Sequence, residues 1–309
     1  VTCELDTTKL LVDTLNDYRA DLFVTSGHAT ERDWQIGYRY RNGYFKSDDG
    51  KLFGQDTQGK KHPIQSDNPK VYLPIGNCLM GHVDSTDAMA LAWMHSAGVH
   101  QMMGYTVLTW YGYAGWGCLD YFIEQPGRFT FTEAFFANQH AMIHRLETCF
   151  PDNAKDTLSA NLRPTRRITP SPRAAELKLT AQDGFGLLYD RDTVAFYGDP
   201  AWVARMATPE AGTLAYEQTL TEKDGTFTLT IKPNRGADSF KPVNTNGAQR
   251  GWRPIVAFLP HRIDKATIVE GEDLNPIVTD DFILVPNPRT CDPNRTYRVT
   301  FKADAISQE

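Results

Sequence analysis

The sequence has no surplus of positive charge. Its 32 Lys and Arg stand against 38 Asp and Glu, for a net charge of −6. Nucleic-acid binders usually present a basic face, so that class has no electrostatic support. No apolar run approaches the roughly 18 to 20 residues needed to cross a bilayer, so no membrane span is expected. No C-x-x-C occurs, which argues against a thiolate zinc site. There is neither an internal repeat nor a low-complexity tract. An initiator Met and a signal peptide are also missing, and the chain reads as excised from something longer. Cysteine is scarce: Cys3, Cys78, Cys118, Cys149 and Cys291. An odd count leaves at least one thiol outside any intrachain disulfide. Two readings stand: two disulfides and one reactive thiol in an oxidising compartment, or several buried free cysteines.

What is present is ordinary for a globular chain, with 41% hydrophobic and 23% charged residues over 309 positions. That suits two domains with a sizeable core. Apolar spacing at Leu10, Leu11 and Leu15 predicts a helix over 7–18. A buried strand at 21–25 then ends at Ser26-Gly27-His28. Residues 37–69 read as a long surface excursion, with a hairpin as the alternative. A second short run, 71–75, ends at Gly76-Asn77-Cys78, with Pro74 awkward for a central strand. A helix is predicted at 85–97, with Ser85 as its cap and Asp87 in its first turn. A third strand follows at 101–108, then an aromatic, Gly-rich loop at 109–117. A helix at 131–146 and a last strand at 186–197 complete the pattern. Strands alternating with helices predict an α/β doubly wound fold over 1–208. From 209 to 309 short β-branched runs at 213–216, 226–231, 255–259, 282–285 and 297–301, between Gly, Pro and Asn turns, predict an all-β sandwich.

In a doubly wound fold the site lies beyond the carboxyl ends of the strands. His28 and Cys78 both sit there, and parallel neighbours would bring them to one edge. A thiolate nucleophile, a base and oxyanion donors make a cysteine peptidase. His28 is then the base and Cys78 the nucleophile. The N–H of Cys78, with that of Ala29 or Gly27, forms the oxyanion hole. Gly27 and Gly81 allow tight turns, and Cys78 opens a helix-ward turn whose N–H groups favour negative charge. The plainer reading of Cys78 is a small buried residue at a strand end. Trp110, Tyr111, Tyr113 and Trp116 either line a substrate pocket or pack the interior of their loop. Asp120 is a candidate acid for a basic substrate side chain. Cys118, in the aromatic loop, is a second candidate thiol, but no strand or His-Gly element precedes it, and it reads as structural or disulfide-bonded.

These residues resemble a known group. Phe23-Val-Thr-Ser-Gly-His28 is similar to the strand-Gly-His element of the caspase, gingipain and legumain cysteine peptidases. Pro74-Ile-Gly-Asn-Cys-Leu-Met-Gly81 is similar to their strand-x-Cys-x-x-Gly element. The separation of 50 positions from His28 to Cys78 is about the caspase spacing. Ala90 to Gly98, Met103-Gly104-Tyr-Thr with Trp110, and Tyr197-Gly-Asp-Pro200 resemble the gingipain branch, which carries an immunoglobulin-like sandwich next. The resemblance implies a caspase/gingipain-like sheet, a secreted, periplasmic or cell-surface location, and protein or peptide substrates. It implies cleavage after Arg or Lys, with Trp110, Trp116 and Asp120 around the side chain. It implies no cofactor. It also implies an additional N-terminal segment or chain of the same precursor, carrying earlier strands and the acidic partner of His28. Two other functions are weighed: a catalytically inactive binding or adhesion protein, and a metal hydrolase built on His140 and His144. The second pair lacks the H-E-x-x-H pattern, since Ala141 follows His140.

Overall fold

The computed structural model describes residues 5–17, 19–37, 42–245 and 247–306. Cys3 and residues 38–41 of the predicted excursion lie outside them. The chain divides into two units, one of residues 1–124 with 128–206, the other of 125–127 with 207–309.

The first unit opens with helix α1 (Thr8–Asp17). Its buried face is Thr8, Val12 and Leu15, while Leu10 is exposed. Strand β1 (Leu22–Gly27) follows. The stretch read as a surface excursion is instead an antiparallel sheet of β2 (Asp33–Gln35), β3 (Tyr44–Asp48), β4 (Lys51–Gln55) and β5 (Lys61–Pro63). Its Phe45 and Leu52 are fully buried, and Phe45 meets Trp34 and Trp93 at 5.3 and 6.0 Å between ring centroids. Its alternation serves a core, which composition hid.

The main sheet has the order β1, β6 (Lys70–Asn77), β7 (Val99–Tyr105), β8 (Val194–Gly198). β1, β6 and β7 are parallel, and β8 runs antiparallel beside β7. Mixed α/β architecture is therefore what the chain builds. β6 is buried on both faces, as parallel strands covered by helices are. Pro74 is tolerated there because β6 pairs with β7 only through Tyr72, and because a bulge follows: Thr25 pairs with Pro74 but Ser26 with Gly76.

Helix α2 (Met89–Ser96) starts later than predicted. The Ser85 hydroxyl instead accepts from the Asp87 N–H, and the Asp87 carboxylate accepts from Asp49 N–H at 2.7 Å. Helix α3 (Tyr113–Phe122) occupies half of the predicted loop. Glycine usually weakens a helix, but a Cβ at Gly115 would lie 2.2 Å from the Ile75 carbonyl oxygen. The glycine is what lets α3 touch β6. Helix α4 (Phe131–Cys149) carries a capping box in which Thr130 and Glu133 satisfy each other's backbone N–H. Short α5 (Pro172–Glu176) precedes α6 (Ala181–Thr193), which takes the first part of the strand predicted at 186–197; only its end, from Val194, is strand, in β8. A Thr180–Asp183 capping box starts α6, and its Gly184 and Gly186 pack against Phe150, Tyr111 and Tyr113.

The second unit holds β9 (Tyr216–Lys223), β10 (Thr226–Pro233), β11 (Ile255–Phe258), β12 (Ile263–Glu270), β13 (Ile277–Val278), β14 (Phe282–Val285) and β15 (Tyr297–Ala305). They form one sheet of order β12-β15-β10-β9 and another of order β11-β14-β13. Alternate residues of β10, β11, β14 and β15 share one apolar core.

Candidate active site

Two parallel strands deliver the site. β1 and β6 are in register with Gly27 opposite Asn77. Neighbouring strands lie about 4.8 Å apart, and the next residues, His28 and Cys78, leave the sheet at the same ends of these neighbouring strands. His28 is exposed and Cys78 is half-buried. The backbone φ of Gly27 is +130°, a value a side chain rarely permits, and its turn opens a short hairpin. There the His28 carbonyl accepts from Gln35 N–H at 2.9 Å, and Ala29 bridges to Trp34.

Buried Asn77 ties these parts together. Its amide donates to Thr25 Oγ1 at 2.9 Å and to the Thr25 carbonyl at 3.0 Å, and accepts from Trp34 Nε1 at 3.1 Å. Tyr72 and Thr25 share a further hydroxyl bond of 2.8 Å. The edge that presents His28 and Cys78 is thus fixed by a satisfied polar network, which rigidifies a core.

After Cys78 the chain turns and straps itself to the end of β7. Leu79 N–H donates to the Val107 carbonyl and Gly81 N–H to the Tyr105 carbonyl, both at 2.9 Å. Gly81 and Gly104 face each other, and a Cβ on Gly81 would come within 2.5 Å of the Gly104 carbonyl oxygen. No helix begins at Cys78: α2 starts only at Met89. The helix-ward turn expected from the sequence is therefore replaced by a β-like strap. The Cys78 sulfur instead accepts from the Thr109 N–H at 3.3 Å, while Thr109 Oγ1 donates to the Asn77 carbonyl at 3.1 Å.

The loop that carries Thr109 is held by α6. Tyr189 OH donates to the Leu108 carbonyl at 2.8 Å, and Thr106 N–H donates to the Thr193 carbonyl at 2.9 Å. Asp190 accepts from the Ala114 N–H and the Tyr105 hydroxyl, each at 2.9 Å, so it caps α3 from another helix. Burial pushes the Asp190 carboxyl up to about 7 against these donors. Burial, then Asp190, Tyr111 and the nearby Cys78, push the Tyr189 phenol up to about 12. None of Thr109, Tyr189 and Asp190 was singled out from the sequence, because 186–197 reads as a strand. The signal was there: Thr180-x-x-Asp183 is a helix-start pattern.

A cleft of about 680 Å³ begins at Leu79, the residue after Cys78, and is lined also by His82, Trp110, Tyr111, Arg163 and Tyr189, among others; Cys78 and His28 do not themselves line it. Trp110 is 69% exposed. Trp116 and Asp120 lie on α3 and do not line this cleft, and Asp120 is 3% exposed. Cys78, Cys118, Cys149 and Cys291 are thiols, with Cys118 and Cys149 buried. His140 and His144 lie on α4, but among the described residues no three His, Cys, Asp or Glu gather as a metal site needs. Among the described residues no helix is long and apolar enough to cross a membrane.

No family model matches the chain, and no curated protein matches it. A solved structure described as "Structure of Protease" aligns at 12% identity with a TM-score of 0.34, over 95% of this chain and 56% of that one. The chain thus spans little more than half the length of that structure.

Proposed function

We propose that the chain is a cysteine peptidase with His28 as base and Cys78 as nucleophile. The observation that carries this is the parallel register of Gly27 with Asn77, which sends both residues off the same sheet edge. His28 takes the thiol proton as the sulfur attacks the scissile carbonyl. The N–H groups of Cys78 and of Ala29 or Gly27 hold the oxyanion. The C–N bond breaks as the imidazolium returns its proton to the leaving amine. Water, deprotonated by His28, then hydrolyses the thioester and frees the thiol. Every group in this scheme belongs to the chain or the substrate, so it calls for no cofactor. The sheet belongs with the caspase and gingipain arrangement, and an immunoglobulin-like second unit stands outside the chemistry. Substrates are proteins or peptides outside the cell.

Brief iodoacetamide treatment at neutral pH, with mass mapping, tests this reading. Cys78 should label far ahead of the other thiols, and His28→Ala should remove the lead. An unreactive Cys78, with no turnover of any peptide, would favour a peptidase-like binding protein instead.

A further inference from the structure

The cleft beside Cys78 has a charge that the mechanism above does not use. Leu79 lines it directly after the nucleophile, and Trp110 directly after Thr109, whose N–H meets the sulfur. A side chain next to the bond under attack by Cys78 would therefore enter this cleft. Among the described residues no Asp or Glu lines it. Its one permanent cation is Arg163, for which no ion pair occurs among the described residues.

The nearby acids are committed elsewhere. Asp183 accepts from Tyr113 OH at 2.6 Å, Asp190 caps α3, Asp156 is paired with Arg166, and Asp192 with Arg191. Arg163 is exposed, and a lone surface arginine is common. This one, however, is held in a built turn. Ser159 N–H donates to the Arg163 carbonyl at 2.8 Å, and Ser159 Oγ accepts the Arg163 N–H at 3.2 Å. Leu158 bridges Pro164 across the turn. Arg191 of α6 clamps its base through the Ala154 and Asp156 carbonyls, each at 2.7 Å. The guanidinium acts on the cleft wall: burial raises the Tyr111 phenol and the Arg163 charge offsets part of that rise.

We propose that Arg163 selects substrates with an acidic side chain, Asp or Glu, at the residue preceding the scissile bond. The proposal rests on Cys78 as the nucleophile, and it reverses the charge preference implied by the gingipain resemblance. A guanidinium suits a carboxylate because its planar fork can bond both oxygens. The same charge repels Lys or Arg in that place.

Binding without turnover tests it. Fluorescein-labelled tetrapeptide amides that differ only in the last residue are titrated by polarisation against the full chain carrying Cys78→Ala. Asp and Glu peptides should bind at least about tenfold tighter than Lys and Arg peptides, since attraction for one is repulsion for the other. The gap should shrink with salt. Arg163→Ala should abolish it, Arg163→Lys should keep its sign, and Arg163→Glu should invert it. Arg173→Ala, a surface arginine on α5 paired with Glu176, should change nothing. Equal affinities, tighter binding of basic peptides, or no saturable binding of any peptide would overturn the proposal. The nucleophile itself is read separately by alkylation of the wild-type chain, so the two ideas fail independently.

Discussion

The two units solve the burial problem in opposite ways. The second packs the strands of its two sheets through alternate apolar residues: Phe227, Leu229 and Ile231 of β10 stand opposite Phe301, Val299 and Tyr297 of β15. The first buries polar groups at both ends of its central strand. At one end of β6 the Lys70 ammonium is held by Ser66 Oγ and the Asn68 and Ala97 carbonyls, at 3.1, 2.7 and 2.5 Å. Burial pushes that lysine's pKa down. At the other end Asn77 holds the site edge. Buried polar groups cost free energy unless satisfied, and a dry core needs none of them. In the first unit they sit at the ends of one strand, beside the residues that leave the sheet, whereas the second unit's buried Ser239, Arg250 and Arg253 lie outside its strands.

Disabling each unit in turn gives the largest contrast. Cys78→Ala should leave both cores intact and lower peptide turnover by about a thousandfold or more, since a nucleophile is lost outright. Phe301→Ala, fully buried and stacked on Phe227 at 5.0 Å, should cost the second unit about 3–5 kcal/mol. Alkylation of Cys78 should keep its wild-type rate in the Phe301→Ala protein under conditions where the chain stays folded. A Phe301→Ala protein that loses its fast thiol would break the division of labour between the units.

Next in size is Asn77→Ala, which deserts Trp34 Nε1 and two Thr25 groups in a buried place. It should lower stability by about 2–3 kcal/mol and slow Cys78 alkylation, measured by urea unfolding and timed mass spectra. Loss of stability with alkylation unchanged would make Asn77 a packing residue only.

Alternation also decides what the sequence discloses. β10, β14 and β15 are legible because each strand alternates or is apolar throughout, and the turn residues between them are strong signals. β12 was missed, since its pattern is mostly exposed and carries no alternation to read. In the first unit the ends of β1 and β6 are legible, because buried parallel strands appear as apolar runs stopped by Gly-His and Asn-Cys. α3 and α6 were misread for one reason. Their glycines serve close approach to Ile75, Phe150 and Tyr111, a tertiary demand that local propensity cannot express. The same misreading hid Thr109, Tyr189, Asp190 and Arg163, which join the site only once α6 is a helix.

The smallest expected effect is a drift with pH, and it belongs to the unit with the polar interior. Asp190 is buried and its carboxyl is raised from the ordinary 3.8 to about 7. Between those values the folded chain keeps a proton that the unfolded chain has released. Stability linked to this group is therefore fully present below about pH 4 and is lost as pH rises toward 7. Asp190→Asn keeps the shape and removes the titration. The stability of the wild type relative to Asp190→Asn should fall steadily from pH 5 to pH 7 and level off above, read from urea midpoints followed by tryptophan fluorescence. A difference that stays flat from pH 5 to pH 7 would mean that the N–H groups of α3 win over burial and hold Asp190 ionised. In that case Asp190 would act as a charged helix cap, and the α6 staple on the Thr109 loop would hold its full strength from about pH 4 upward.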